Sequence, residues 1–83
     1  MFTGRSLLIT GGTGTFGNAV LQRFLATGIG EIRVFSRDEK EQHDMRMAYG
    51  SPKPRFYIGD VRDPASLRDA MLGVDYVFHA AAL

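Results

Sequence analysis

Apolar and polar residues follow two alternating patterns along this chain. Four short apolar runs cover residues 6–10, 31–36, 55–58 and 75–79, which predicts four strands. The segments between them have apolar residues every three or four positions, as amphipathic helices do. Strands that alternate with helices indicate an α/β fold with a parallel sheet, and right-handed crossovers give the strand order 3-2-1-4.

The helix boundaries follow from breakers and caps. The first helix begins near Phe16 and ends before Gly28, and the second runs from the charged segment 37–44 to Tyr49. Residues 50–54 form a loop because they contain glycine and two prolines. Asp63 is the expected N-cap of the third helix, Pro64 its first residue, and Gly73 its end. The side chains expected to face the core from the first and third helices are Phe16, Val20, Leu21, Phe24, Leu25, Leu67, Ala70 and Met71.

A glycine-rich turn, Thr-Gly-Gly-Thr-Gly-Thr-Phe-Gly at residues 10–17, joins the first strand to the first helix. Gly11 can adopt backbone angles that other residues avoid, Gly14 lets phosphates reach main-chain N–H groups, and Gly17 lets the helix lie close to the strand. The helix N-terminus adds unpaired donors and a partial positive charge. This pattern predicts a dinucleotide-binding site, and with it the N-terminal portion of a Rossmann-like, doubly wound NAD(P)-binding domain.

The end of the second strand indicates which dinucleotide is bound. Ser36 and Arg37 stand where NAD-binding proteins carry an acidic residue, and Lys40 follows. A hydroxyl and a guanidinium there favour the 2′-phosphate of NADP. Asp38, if it pointed inward, would instead favour NAD, and the whole charged run is also compatible with a solvated helix start.

Two further strand ends lie on the same edge of the predicted sheet. Asp60 and Val61 follow the third strand, where the adenine would lie, although Asp60 is equally consistent with an ordinary turn aspartate. Small side chains follow the fourth strand and would let the backbone approach the cofactor: Ala80, Ala81 and Ala82. His79 is expected to have a positioning role rather than an acid–base one, and His43 to be solvated.

Catalytic machinery is not expected within these residues. Tyr57 and Tyr76 are not followed by lysine four residues later. Lys53 does follow Tyr49 at that spacing, but the residues between them belong to the predicted loop at 50–54. The acidic residues of the second helix form no convincing metal site. A complete domain of this type usually needs more than about 100 residues, so the 83 residues are expected to form part of one. The apolar fourth strand would then be an exposed edge, which favours self-association into a homo-oligomer.

Composition excludes several other classes of protein. Ten basic and nine acidic residues are mixed along the chain, so no basic stripe indicates a nucleic-acid partner. The apolar runs are too short to cross a membrane. Residues 1–5 lead directly into the first strand and leave no room for a signal peptide, and cysteine is absent, which fits a reducing compartment. We therefore expect a cytoplasmic protein.

Three motifs carry a family resemblance: residues 10–17, Gly-Asp-Val-Arg-Asp at 59–63, and His-Ala-Ala-Ala-Leu at 79–83. They resemble the extended short-chain dehydrogenase/reductase superfamily. Phe-Ser-Arg-Asp-Glu-Lys at 35–40 narrows the likeness, and the whole chain is similar to the N-terminus of the inverting UDP-N-acetylglucosamine 4,6-dehydratases of bacterial surface polysaccharide biosynthesis.

The resemblance implies a lyase reaction on a UDP-sugar. In the family, NADP takes a hydride from C4, the C5 proton and the C6 hydroxyl leave as water, the hydride returns to C6, and C5 is reprotonated with inversion. The catalytic tyrosine–lysine pair and the substrate domain of the family lie beyond the matched residues.

The resemblance also implies a role for each matched residue. The pyrophosphate would be held by Gly11, Thr13, Gly14, Thr15, Phe16 and Gly17. The 2′-phosphate would be held by Ser36, Arg37 and Lys40, the adenine by Asp60 and Val61, and the nicotinamide ribose by Ala80, Ala81 and Ala82. Two alternatives remain: a non-catalytic NADP-binding sensor or regulatory module, and a fragment without activity.

Overall fold

The computed structural model describes residues 2–11 and 13–80. Its elements, in chain order, are β1 (Ser6–Thr10), α1 (Thr15–Leu25), β2 (Glu31–Ser36), α2 (Glu39–Tyr49), β3 (Pro54–Ile58), α3 (Pro64–Met71) and β4 (Tyr76–His79). The four strands form one parallel sheet in the order β3-β2-β1-β4, which confirms the predicted fold and strand order.

Helices cover both faces of the sheet because the chain crosses from one face to the other after β3. On one face, Leu7 and Ile9 of β1 pack with Val20 and Leu21 of α1 and Met45 of α2. On the other face, Leu8, Phe35 and Ala70 form a smaller cluster under α3. Alternate residues of β1 thus enter opposite clusters, as the two-residue period of a strand requires.

Element boundaries differ from the prediction by one or two residues. Thr15 starts α1, Tyr76 starts β4, and α2 starts at Glu39 because Asp38 is its N-cap. Pro54, which the sequence placed in the loop, is the first residue of β3. Proline is tolerated there because β3 is an edge strand and a first strand residue has no obligatory ladder bond.

Two side chains predicted to face the core do not do so. Phe16 is 57% exposed and Met71 is 42% exposed. Phe16 is the second residue of α1 and Met71 is the last residue of α3. Phe16 meets Phe78 of β4 instead of entering either core cluster. Their stripe neighbours Val20, Leu21 and Ala70 are buried as predicted.

The strand β4 is an edge of the sheet among the described residues, as expected. Val77 is 50% exposed and Tyr76 is also exposed, although both are apolar or aromatic. Phe2, from the N-terminal segment, packs edge-on against Tyr76 and Phe24.

Candidate functional site: the carboxyl edge of the sheet

The glycine turn leaves β1 through a left-handed residue. Gly11 has φ +65°, which confirms that this position needs glycine, and its N–H donates to the carbonyl of Phe35 at 2.8 Å. Gly14 then forms the N-cap of α1 with an extended backbone. Gly17 is buried in the first turns of α1, consistent with a helix that lies close to β1.

The loop is held from behind by Asn18, which the sequence analysis did not identify. Its side-chain amide donates to the carbonyls of Thr13 at 3.1 Å and Gly14 at 3.0 Å. Tyr49, from the end of α2, donates to Asn18 Oδ1 at 3.0 Å. Asparagine is a poor helix former, so its place in the first turns of α1 after a glycine turn is the signal that would have revealed this role.

The N-terminus of α1 has the properties of an anion site. No side chain caps it, and its first turn contains no acidic residue. Among the residues that the structure describes, a Cβ placed on Gly14 would have only the carbonyl oxygen of Gly11 within 4 Å, at 3.7 Å, so these residues leave the space beside Gly14 open. Thr15 and Phe16 follow it and are exposed. The described residues therefore fit a phosphate group, which would meet free N–H donors and the positive end of the helix.

Phe16 lies beside the loop rather than in the core. Its ring is tilted against that of Phe78 in β4, with 5.4 Å between the centroids. This contact joins the start of α1 to the end of β4 across the carboxyl edge. Its exposed face is available to a ligand.

A cleft of about 620 Å³ opens between the glycine loop and the start of α2. The residues that line it are Thr13, Ser36, Arg37, Asp38, Glu39 and Glu41. Ser36 is almost buried, whereas the Arg37 side chain is 70% exposed. Lys40 is not part of this lining; its Nζ lies 3.2 Å from Asp44 on the outer surface of α2.

The charges in this cleft are mixed. Arg37 is the single cation in the lining, alongside three carboxylates. Two of those carboxylates have partners: Asp38 accepts from the Glu41 N–H at 2.9 Å as the N-cap of α2, and Glu41 accepts from the Thr13 hydroxyl at 2.8 Å. Asp38 is therefore held at the helix terminus.

Asp60, at the end of β3, is the centre of an ion-pair cluster. Arg62 Nη2 donates to its carboxylate at 2.8 Å, the Arg62 N–H donates at 2.9 Å, and Arg37 Nη1 lies 3.6 Å away. The side-chain hydrogen bond from Arg62, aided by the backbone bond, lowers the pKa of Asp60 to about 2. Asp60 thus connects the ends of β2 and β3. Val61 packs against the small cluster under α3.

The end of β4 completes this edge. The Thr10 hydroxyl and His79 Nδ1 form a short hydrogen bond, and the Ala80 N–H donates to the Thr10 carbonyl at 2.9 Å. His79 is held by β1, which fits the positioning role expected of it. His43 is exposed on α2. Ala81 and Ala82 lie outside the described residues.

Two more residues that the sequence analysis overlooked support this edge. Gln42 is buried and bonds to both Ser36 and Tyr57. Gly59 lies so close to Phe35 that a Cβ there would be 2.7 Å from its ring. One signal in the sequence pointed to Gly59, its place in the motif at residues 59–63.

Within residues 2–11 and 13–80, no three acidic or histidine side chains are grouped to hold a metal, and no helix is long and apolar enough to cross a bilayer.

Proteins of known sequence that resemble this chain are named for polysaccharide biosynthesis or for a UDP-sugar reaction. Residues 7–83 match the family model described as "Polysaccharide biosynthesis protein". The chain is 66% identical over 87 aligned positions to a protein of Rickettsia conorii named UDP-glucose 4-epimerase. That alignment covers all of this chain and 26% of the relative, so the chain spans about a quarter of its length.

Solved structures share the fold. Pen from Bacillus thuringiensis is 38% identical with a TM-score of 0.94, over 100% of this chain and 26% of that one. An oxidoreductase of the short-chain dehydrogenase/reductase family from Burkholderia thailandensis is 34% identical with a TM-score of 0.79, over 90% and 30%. WbmF from Bordetella bronchiseptica, solved in complex with NAD+ and UDP, is 24% identical with a TM-score of 0.75, over 96% and 23%, a likeness of fold alone.

Proposed function

This chain belongs to the family of polysaccharide biosynthesis proteins, and we propose that it binds the dinucleotide cofactor of an enzyme that modifies a UDP-linked sugar. The observation that carries the proposal is the N-terminus of α1, where Gly14 replaces a capping side chain and the space in front of it is open. It lies at the carboxyl edge of the sheet, where ligands of this type of fold bind.

Each group of residues then meets one part of the dinucleotide. The pyrophosphate lies against the loop formed by Gly11, Thr13, Gly14, Thr15, Phe16 and Gly17. The adenine lies near Asp60 and Val61, and the nicotinamide ribose near Ala80, Ala81 and Ala82. When bound, the nicotinamide supplies a reversible hydride acceptor for a carbon of the sugar. This chain's residues hold and orient the cofactor.

NADP is the proposed form of the cofactor. Arg37 is a cation at the end of β2, its guanidinium can bind a phosphate through two donors, and Ser36 adds a hydroxyl. Lys40 would contribute only if its side chain left Asp44. Asp38, Glu39 and Glu41 oppose a 2′-phosphate by their charge, and WbmF was solved with NAD+. Asp38 Oδ1 accepts from the Glu41 N–H, and Glu41 Oε1 accepts from the Thr13 hydroxyl. These two oxygens are therefore less available to accept from the 2′-hydroxyl of NAD, which favours NADP.

The proposed reaction of the whole enzyme is C5-inverting 4,6-dehydration of UDP-N-acetylglucosamine. The second candidate is epimerisation at C4, favoured by the name of the Rickettsia conorii relative. Residues 1–83 serve either reaction in this proposal, as the N-terminal part of the NAD(P)-binding domain. The substrate domain and the catalytic residues are supplied by the rest of a longer protein, in the cytoplasm.

Fluorescence titration of the 83-residue chain with NADPH and NADH tests the binding proposal. Saturable binding with a clear preference for NADPH is the expected result. Preference for NADH would contradict the roles of Ser36 and Arg37, and no binding of either would contradict a dinucleotide function for this chain by itself.

Mass spectrometry separates the two reactions. A protein of the relatives' full length that begins with this sequence is incubated with UDP-N-acetylglucosamine or UDP-glucose. Dehydration gives a product lighter by one water, whereas epimerisation gives a product of unchanged mass that chromatography separates from the substrate before mass analysis.

The exposed edge of β4 adds a proposal about assembly. Val77 and Tyr76 are exposed on an edge strand of the described sheet, so we expect the 83-residue chain by itself to form homo-oligomers through this edge. Size-exclusion chromatography coupled to light scattering checks this; a Val77→Lys variant is expected to be monomeric.

A further inference from the structure

Gln42 lies beneath the cleft that opens between the glycine loop and α2. Gln42 is only 3% exposed, although its side chain is polar. The amide nitrogen Nε2 donates to the carbonyl of Tyr57 at 2.8 Å and to Ser36 Oγ at 3.0 Å. One buried amide thus joins α2 to the ends of β2 and β3.

The direction of these hydrogen bonds is determined by chemistry. A backbone carbonyl only accepts, so the nitrogen of the Gln42 amide must face Tyr57. One of its two hydrogens goes to Tyr57, and the other to Ser36, whose Oγ at 3.0 Å is a closer acceptor than its carbonyl oxygen at 3.5 Å. Ser36 Oγ is therefore an acceptor toward Gln42, and its own hydrogen remains to be donated elsewhere.

The place to which the Ser36 hydroxyl can donate is the cleft. Ser36 lines it together with Arg37 and Thr13. Within residues 2–11 and 13–80, no side chain or carbonyl accepts a hydrogen bond from Ser36 Oγ. A hydroxyl with this orientation offers a donor beside the Arg37 guanidinium, which suits an anionic oxygen.

We propose that Gln42 is a positioning residue that makes the Ser36 hydroxyl a donor to the 2′-phosphate and thereby sets the preference for NADP over NAD. This inference rests on the proposed function, since it assumes that a dinucleotide binds in the cleft. A hydrogen bond to the charged phosphate is stronger than one to the neutral 2′-hydroxyl of NAD. Loss of the Gln42 amide is therefore expected to weaken the binding of NADPH more than the binding of NADH.

A purely structural role of Gln42 predicts a different outcome. If Gln42 only joined α2 to the sheet, its loss would weaken both coenzymes equally by loosening the whole cleft. The ratio of the NADH to the NADPH dissociation constant, measured on one sample, separates the two roles. That ratio is independent of the fraction of chain that is folded.

The test compares Ser36→Ala, Gln42→Met and the double variant with the unmodified chain. Methionine keeps a side chain of similar length without donor or charge. We expect Ser36→Ala to lower the NADPH preference about tenfold, the size of one hydrogen bond to a charged group. Gln42→Met is expected to lower it by about threefold to tenfold, and to have no further effect once Ser36 is alanine. Gln22→Met, on the exposed surface of α1, is the matched control and leaves the ratio unchanged.

A second measurement covers the case in which Gln42→Met does not fold. In the unmodified chain, the Gln42 side-chain amide resonances are expected to shift more with NADPH than with NADH, and Ser36→Ala should abolish the difference.

Four results overturn the inference. If neither coenzyme binds the unmodified chain, the proposed function fails and the inference with it. If NADPH is not preferred, Ser36 does not read a 2′-phosphate. If Gln42→Met weakens both coenzymes equally, or the amide resonances respond equally to both, Gln42 is structural while the proposed function stands.

Discussion

Three helices begin at the carboxyl edge of the same sheet, but their N-termini differ. Asp38 caps α2 through the Glu41 N–H, and Asp63 caps α3 through the Ala65 N–H. At α1 the N-cap is Gly14, and no side chain accepts from the helix donors. An aspartate cap satisfies the first donors and neutralises the helix dipole from within the chain. A glycine leaves both for a ligand.

The difference teaches that the proposed binding site lies at the one of these three helix starts that has no capping side chain. A glycine N-cap is less stabilising than an aspartate by only a few tenths of a kcal/mol, which is the stability that α1 forgoes. Asn18 compensates in part by donating to the carbonyls of Thr13 and Gly14, and Tyr49 holds Asn18 in place by donating to its Oδ1. Hydrogen bonds from Asn18 therefore fix the carbonyls of the loop, while the described residues leave the space beside Gly14 open.

The largest expected effect comes from giving α1 the cap that α2 and α3 have. Gly14→Asp fits the extended backbone and the open space at this position. The carboxylate would occupy the phosphate position, and two like charges about 4 Å apart cost about 4 kcal/mol near a protein surface. We expect NADPH binding to weaken at least about a hundredfold while the melting temperature stays the same or rises.

Gly14→Asn is the control for this change. It caps the helix without charge, so it should weaken binding much less. Equal loss in both variants would mean that the side chain blocks the site by volume instead of charge.

The next effect distinguishes two glycines near these helix starts. A Cβ at Gly59, before α3, would be 2.7 Å from the buried Phe35 ring and 2.8 Å from Ser66 Oγ. We therefore expect Gly59→Ala to lower the free energy of unfolding by about 1–3 kcal/mol, measured by urea denaturation. Gly14→Ala meets no atom closer than 3.7 Å and should change stability far less. If Gly14→Ala and Gly59→Ala destabilised the chain equally, the surroundings of Gly14 would be as tightly packed as those of Gly59 at the end of β3.

The two aspartate caps form a matched pair for a smaller effect. Asp38→Ala and Asp63→Ala should each cost about 1 kcal/mol of stability, because each removes one cap hydrogen bond. Only Asp38 lines the cleft, so only its removal should raise NADPH affinity severalfold by removing a negative charge. Thermal denaturation and coenzyme titration of both variants check this, and a gain in affinity with Asp63→Ala would contradict the assignment of the cleft.

The smallest expected effect concerns pH. The pKa of Asp60 is lowered to about 2 from 3.8 by Arg62, so the folded state holds its ionised form more strongly than the unfolded chain does. This contribution to stability is complete above the unfolded pKa and is lost as pH falls through 2. It is modest because the pair is exposed and screened by salt. NMR titration of the Asp60 carboxyl should show its pKa return toward 3.8 in Arg62→Gln; an unchanged pKa would mean that Arg62 is not the cause.

Local patterns were sufficient for the sheet and for part of the site. Apolar runs of a few residues predicted the bounds of β1 and β2. Local residue preferences predicted Asp63 as the N-cap of α3 and Pro64 as its first residue. The same holds for the left-handed Gly11, since a sharp turn between a buried strand and a helix requires that conformation.

Contacts between residues distant in sequence decided the rest. Phe16 is exposed and meets Phe78 of β4, a contact between distant residues that helical periodicity does not predict. Asn18 meets Tyr49, Gln42 meets Tyr57, and Gly59 meets Phe35 only after the strands have paired. The sequence by itself determined which elements form and which of the three helices starts from a glycine turn. Only the tertiary structure decided how the side chains around that turn are oriented, because hydrogen-bond direction and close packing depend on neighbours that the fold brings together.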